Sequence, residues 1–487
     1  MQHFKTISFV EGEPKTLTIS FSDKENLLYS SLSSLSSNDI RSLIGVNSLM
    51  ILTELAKSQH RTLSQQIKFL ASEAIRKKSI LPEEVTFKAG KNEPFQRWYP
   101  YIEGYSPSFV KTLIENNNLH DIVVYEPFAG TGTTILASDS KGIDTVYSEV
   151  NPLLRLLISL KIKIQSLGEN NRNAIANEFL NVYNTVKNSL REKDSELENA
   201  YYSVFKKSKY FSDEIFNTIL QYSFQIKRVS NPIVKDLLNI ALATTLVPVS
   251  FLKKQGDLRF KTQKELLTEV KTIDDVLPVK VQEIYDDILN FDYTLKATHY
   301  CATPNAKLIG GAETPLIGAV ITSPPYLNGT NYIRNTKLEL WYLGMIKTDA
   351  DLRTLRDDIL TSGINDVKVA YKDAFSICEL SPLLNRVITE LNLKAYDKRI
   401  PLMAVCYFNE MFQVFNGLKS KLLNGAVILI DLGDSIFSEV HIPTDKILIE
   451  ILRHIGYTYN SNQILRTRRS RNGSVLSQFL ITLQYFK

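Results

Sequence analysis

The feature that most restricts this chain is a set of apolar runs that each stop at a turn rich in glycine, proline or acidic residues. They are DIVVYEPFAG at 121–130, TVYSEVNP at 145–152, AVITSPPY at 319–326, AVILIDLGDS at 426–435 and SQFLITLQYF at 477–486. Such runs read as strands covered on both faces, and helical patterns lie between them. The expected fold class is therefore α/β, an open and mostly parallel sheet with helices on both sides. AKLIGGAE, 306–313, has the texture of a further strand, and Ser106-Pro107 forms an N-cap and N1 pair opening a helix over SPSFVKTLIE.

The alternation is interrupted. From 161 to 305 the pattern is almost wholly helical, with REKDSELENA and the apolar IVKDLLNIALATTLVPVS inside it. That is too long for a loop within a compact domain, so it reads as an inserted helical subdomain. Residues 1–95 combine a hairpin pattern, TISFVEGEPKTLTISF, with a serine-rich stretch and then apolar residues at helical spacing through IRSLIGVNSLMILTELAKS. They carry no assignable motif and read as an accessory region. The core then falls into two halves, 96–160 and 306–487.

Composition excludes several classes. The amino terminus has no apolar segment behind a basic start, and the longest apolar stretch, Leu237 to Leu252, is shorter than a bilayer span and contains Pro248, so neither export nor a membrane anchor is expected. Cys301, Cys378 and Cys406 form no CxxC pair, which points to a reducing, cytoplasmic setting and to buried structural thiols. The six histidines show no ligand spacing, and no metal is expected. A net charge of +5 suits a polyanionic partner without demanding one.

Two motifs carry chemistry. YEPFAGTGTT, 125–134, stands where a strand ends and a helix begins. Glycines there let the backbone turn tightly against a ligand, and the helix start presents unpaired N–H groups; a tight turn with no ligand is the plain alternative. Glu149, 17 residues beyond Gly132 at the next strand end, can hold two ribose hydroxyls, which favours a nucleoside cofactor. TSPPY, 322–326, ends another strand. Its two prolines fix the backbone and remove two N–H donors, so nearby carbonyls are free to accept from an amine. Ser323 adds a hydroxyl acceptor, and Tyr326 a ring on which a planar base can stack. A rigid turn with a buried tyrosine is the plain alternative here.

Together FAGTG and TSPPY resemble motifs I and IV of the amino-group DNA methyltransferases, which modify N4 of cytosine or N6 of adenine. SEVNP, VILIDLGDS with Gly433 and Asp434, SPSFVKTLIE and LNGTNYIRNTKLELWYLG are similar to further segments of that family. The likeness covers roughly 96–160 and 306–487. It implies a Rossmann-like class I methyltransferase sheet that binds S-adenosyl-L-methionine through Glu126, Phe128, Gly130, Gly132, Thr133 and Glu149. Glu313, in GGAE, stands where an acidic motif meets the adenine, and Glu126 replaces the more usual Asp. Ser323, Pro324, Pro325 and Tyr326 then face a base flipped out of double-stranded DNA. Serine before PPY resembles the cytosine-N4 members, with adenine-N6 as the alternative. No cysteine follows a proline, so C5 chemistry through a thiol is not expected.

In a DNA enzyme, RTRRSR at 466–471 and KKQGDLRFK at 253–261 are phosphate-contact candidates, through Arg466, Arg468, Arg469, Lys253, Lys254 and Arg259. Solvated surface is the alternative for both. Arg334, eight residues past Tyr326, is expected to border the cleft. The insertion is the natural place for target recognition, with residues 1–95 next as a DNA-contacting or dimerising element. A cognate restriction or defence nuclease is a partner the resemblance implies. An RNA methyltransferase and a non-catalytic DNA-binding subunit are the competing readings.

Overall fold

The computed structural model describes residues 3–11, 13–21, 78–86, 90–100, 104–255, 257–268, 271–327, 332–367, 372–469 and 473–487. The serine-rich stretch, the amino-terminal helical pattern and Ser470 to Asn472 lie outside these residues. The amino-terminal pattern forms the expected hairpin, β1 (His3–Glu11) antiparallel to β2 (Glu13–Phe21).

The core opens as its capping residues dictate. Ser106 accepts the Phe109 amide with Pro107 in the first turn, fixing the start of α1 (Pro107–Asn116). Then come β3 (Val124–Glu126), α2 (Thr133–Asp139), β4 (Thr145–Tyr147) and α3 (Pro152–Gln165), whose cap is Asn151 accepting from Leu153 N. The insertion follows: α4 (Glu169–Asn188), α5 (Ser195–Phe205), α6 (Asp213–Lys227), α7 (Pro232–Val249), a hairpin of β5 (Leu252–Gln255) and β6 (Asp257–Phe260), α8 (Gln263–Thr268) and α9 (Ile273–Leu289). The core resumes with β7 (His299–Cys301), β8 (Ile317–Thr322), α10 (Lys337–Tyr342), α11 (Asp349–Asp358), α12 (Pro382–Lys394) and α13 (Arg399–Leu418). It closes with β9 (Leu422–Gly433), the short pair β10 (Ser435–Phe437) and β11 (Val440–Ile442), α14 (Thr444–His454), β12 (Tyr457–Arg469) and β13 (Val475–Tyr485).

The seven-stranded sheet has the order β12-β13-β9-β8-β3-β4-β7. Pairing from β9 to β7 is parallel throughout, while β13 is antiparallel to both of its neighbours, so β13 alone runs against the rest. The chain leaves β3 towards β4 and β7, then returns to add β8 and β9 on the other side. The junction of β3 and β8 is thus the topological switch point, where sheets of this type bind ligands. Side chains alternate across the sheet: Val124, Ala319, Ile321 and Leu429 pack with α1, whereas Tyr125, Val320, Ile428 and Ile430 face the core of α12, α13 and α14.

AKLIGGAE is not a strand. Asn305 accepts the Lys307 amide and starts a 3-10 turn over Ala306–Gly311, and a Cβ on Gly310 would stand 3.2 Å from the Gly417 carbonyl oxygen, so the glycine admits α13 at close range. The strand at this sheet edge is β7, three residues that carry too little pattern to read.

The insertion shares one apolar core with α3, with Phe95, Trp98 and Tyr99, and with Ile333 to Ile359. By length and composition α7 could cross a membrane, but Leu237, Ile240, Ala241, Leu242, Ala243 and Leu246 are fully buried beneath neighbouring helices. Asp287 of α9 fastens the block to the core's leading segment: its carboxylate accepts from Phe95 N (2.8 Å), Trp98 Nε1 (2.9 Å) and Arg97 Nε (2.9 Å). Asp287→Ala strands these donors and is expected to cost about 3 kcal/mol in denaturant unfolding. A cost below about 1 kcal/mol would mean that packing alone holds the segment.

Candidate active site

The glycine turn is held from below and from the side. After β3 the chain turns through Pro127 to Gly132, with Gly130 at φ 54° and Gly132 at φ 88°. A Cβ on Gly132 would come within 3.0 Å of Ile158 Cγ1 on α3, so both the conformation and the space demand glycine. Three residues further along α3, the fully buried Lys161 donates from Nζ to the Thr131 carbonyl at 2.8 Å, and burial pushes its pKa down to about 7. From the side, Glu149 at the end of β4 accepts Gly130 N through Oε2 (2.8 Å) and Asn151 N through Oε1 (2.8 Å). Burial raises its pKa to about 7.

At the end of β8, Thr322 donates to Glu126 Oε1 at 2.5 Å. Ser323, Pro324, Pro325 and Tyr326 follow. The Tyr326 hydroxyl donates to Asp431 Oδ2 at 3.1 Å, and the nearby Ser323 side chain favours the ionised form of both groups. Gln478 of β13 donates to Asp431 Oδ1 at 2.6 Å. The Tyr326 ring lies on the backbone of Gly433, where a Cβ would be 3.1 Å from two ring carbons. Burial lifts Asp431 to about 6, against the pull of Gln478, Tyr326 and Ser323. Burial likewise carries the Tyr326 hydroxyl well above its ordinary range. An ionised Asp431 only accepts, so the Tyr326 proton points at it, while Ser323, half-buried in the lining of the cleft, has hydroxyl lone pairs with which to accept from a ligand.

Glu126 joins the two motifs. It is buried and takes bonds from Thr322, from Thr134 Oγ1 (2.7 Å), from Tyr105 and from Phe128 N (3.1 Å), while burial raises its pKa to about 7. Its oxygens are engaged by the protein itself, so this cofactor-binding candidate stands as a clasp beneath the site.

Around this clasp lies one cleft of about 330 Å³. It is lined by Phe128, Gly130, Thr133 and Glu149 from the first motif and by Ser323, Pro324, Pro325 and Tyr326 from the second. Thr133 also donates to Gln96 Oε1 at 3.3 Å. Gly132 stands outside the lining, turned to α3. Glu313 is exposed and also outside it, because the 3-10 turn carries the chain away; Asn305, Ala306 and Lys307 occupy that end.

The basic candidates divide. Arg466, Arg468 and Lys254 line the cleft, Lys254 with its Nζ 3.3 Å from the Tyr99 hydroxyl and 3.6 Å from Glu339. Lys253 and Arg259 are paired to Glu265 instead, at 3.1 and 2.7 Å, so both share one carboxylate away from the cleft lining. Arg334 is half-buried and not in the lining, unlike its neighbours Tyr332, Ile333, Asn335 and Thr336. Arg469 is exposed and reaches the Gly473 carbonyl at 3.5 Å. Sequence reasoning missed Tyr105, Lys161, Asp431 and Gln478. Only Asp431 had a readable signal, as a carboxylate near the end of an apolar strand.

The sheet order and the cleft at its switch point define a Rossmann-like methyltransferase fold. Over 438 residues the chain is 26% identical to the Type II methyltransferase M.AvaI of Nostoc sp., spanning 81% of this chain and 85% of that protein, with the same figures for M.AvaI of Anabaena variabilis. It is 24% identical over 451 residues to the Type II methyltransferase M.BsoBI of Geobacillus stearothermophilus, again over 81% of this chain and 85% of the relative. No family model matches the chain.

The raised carboxylates have a thermodynamic consequence. With folded values near 7 against ordinary values of 4.5, Glu126 and Glu149 hold protons that the unfolded chain releases between those limits. Their contribution to stability is fully present below pH 4.5 and is lost as the pH rises through 7. Melting temperatures of Glu126→Gln and Glu149→Gln should therefore fall less across this window than those of the wild type. Unchanged slopes in both variants would place the titration elsewhere.

Proposed function

We propose that this protein is an S-adenosyl-L-methionine-dependent DNA methyltransferase of a restriction-modification system, acting in the cytoplasm of a bacterial or archaeal cell on the exocyclic N4 amine of a flipped cytosine. The observation that carries the reading is the meeting of the glycine turn and the Ser-Pro-Pro-Tyr segment in one cleft at the switch point. The Type II methyltransferase relatives, matched over most of their length, support it.

The residues present fit the cofactor. Each Glu149 oxygen accepts one backbone N–H and retains a lone pair for a ribose hydroxyl. Gly130 brings bare backbone to the cleft, and Phe128 gives it an apolar wall. When bound, S-adenosyl-L-methionine supplies an electrophilic methyl group on sulfur. The chain's own residues then position the amine. Ser323 Oγ and the Pro324 carbonyl accept hydrogen bonds from the two amine N–H groups, so the nitrogen lone pair is localised and aimed. Tyr326 is pinned by its hydroxyl and by Gly433, and its ring face replaces part of the stacking lost when the base leaves the duplex. Glu126 keeps the two halves in register.

The direct test is mass spectrometry of nucleosides from DNA of a methylation-free host expressing the protein. N4-methylcytosine is expected, and it should disappear with Ser323→Ala. N6-methyladenine would keep the fold and overturn the base, while no modified base would shift the reading to RNA or to a non-catalytic subunit. Tyr326→Ala should lower turnover about a hundredfold while leaving cofactor affinity within about twofold. Gly130→Arg should abolish cofactor binding in calorimetry, and retained binding would remove the glycine turn from the cofactor site.

A further inference from the structure

Beside the amine slot the sheet register builds a hydrogen-bonded chain that leads to the surface. Arg466 on β12 stands opposite Gln478 on β13, and Gln478 opposite Gly433 on β9. Arg466 Nε donates to Gln478 Oε1 at 2.6 Å, and Gln478 Nε2 donates to Asp431 Oδ1 at 2.6 Å. Gln478 and Asp431 are buried, while Arg466 is half-buried at the cleft. The orientation of the amide is forced at both ends: a guanidinium only donates and a carboxylate only accepts, so a flipped amide would face two repulsions. Among the described residues the two terminal nitrogens of Arg466 make no hydrogen bond, and the side chain lines the cleft.

We propose that Arg466 is the anchor for a phosphate flanking the flipped nucleotide, and that Gln478 transmits its position to Asp431, making Arg466 and Gln478 positioning residues for the Ser323–Tyr326 slot. The inference rests on the methyltransferase reading above and deepens it. A nucleotide turned out of the duplex leaves its sugar-phosphate at the mouth of the pocket that holds its base. Arg466 lines that mouth with a two-pronged face that matches a phosphate in bidentate fashion. When the guanidinium is drawn to a phosphate, its Nε still holds Gln478, Gln478 holds Asp431, and Asp431 holds the Tyr326 hydroxyl beside Ser323. Backbone binding is thereby coupled to the order of the amine slot. Arg468, two residues along and also lining the cleft, has no bond to Gln478 among the described residues. It supplies charge without that coupling.

Steady-state methylation of a DNA duplex over a salt series tests this with the full-length protein. Arg466→Met should lower kcat by about tenfold or more and also raise KM, with the logarithmic salt slope reduced by about one. Arg466→Lys should keep the salt slope but not restore kcat, because an ammonium cannot hold Gln478 and grip a phosphate as a fork. Arg468→Met should raise KM and reduce the slope with kcat within about twofold of wild type. Equal kcat for Arg466→Met and Arg468→Met, or full rescue by Arg466→Lys, overturns the coupling. Should the wild type itself transfer no methyl group to any DNA, the methyltransferase reading fails first, whereas an active wild type with those kcat values sinks only this inference.

Discussion

The site depends on a single buried carboxylate. Glu126 ends β3, yet its oxygens serve neighbours on three other segments: Thr322 at the end of β8, Thr134 in α2 and Tyr105 ahead of α1. A buried carboxyl group is costly unless hydrogen-bond partners surround it, and here three hydroxyls and a backbone N–H do so. The effect is to fix the glycine turn and the Ser-Pro-Pro-Tyr segment at one separation, although they lie almost 200 residues apart in the chain. Under the proposed methyl transfer, a nucleophile and an electrophile held by separate motifs need such a common frame, because misplacement by about 1 Å costs rate steeply.

The same logic repeats at each strand end. Glu149 ties β4 to the glycine turn, and Asp431 ties β9 and β13 to Tyr326. Buried carboxylates with raised pKa values therefore border the cleft on three sides. Each is satisfied by protein donors, which fixes the directions of those donors around the site. Lys161 acts from below in the opposite sense, a buried amine holding the Thr131 carbonyl. The polar atoms around the cleft are in this way set before a ligand arrives, which is what preorganised electrostatics requires.

The insertion is bound into this frame. Its apolar core is continuous with α3 and with the segment after TSPPY, and the β5–β6 hairpin is held at Leu258 N by Asn335 Oδ1 (2.8 Å) while it offers Lys254 to the cleft. A block that reads as a separate helical unit thus contributes a wall of the site. The strand pair within it was hidden in the sequence because KKQGDLRFK alternates charge with few apolar residues, and register there comes from tertiary contact.

By itself the sequence determined the α/β class, the N-cap of α1, the glycine turn at its strand-to-helix junction, Glu149 at the next strand end and the Ser-Pro-Pro-Tyr segment. All of these are local: they follow from apolar period, capping chemistry and backbone restriction within about ten residues. Tertiary structure decided which side chains meet. It made Glu126 a clasp, paired Lys253 and Arg259 with Glu265, left Glu313 exposed outside the cleft, and brought Gln478 and Asp431 to Arg466 and Tyr326. Those outcomes depend on sheet order and register, where a shift of one residue turns a side chain to the opposite face, and no local pattern encodes them.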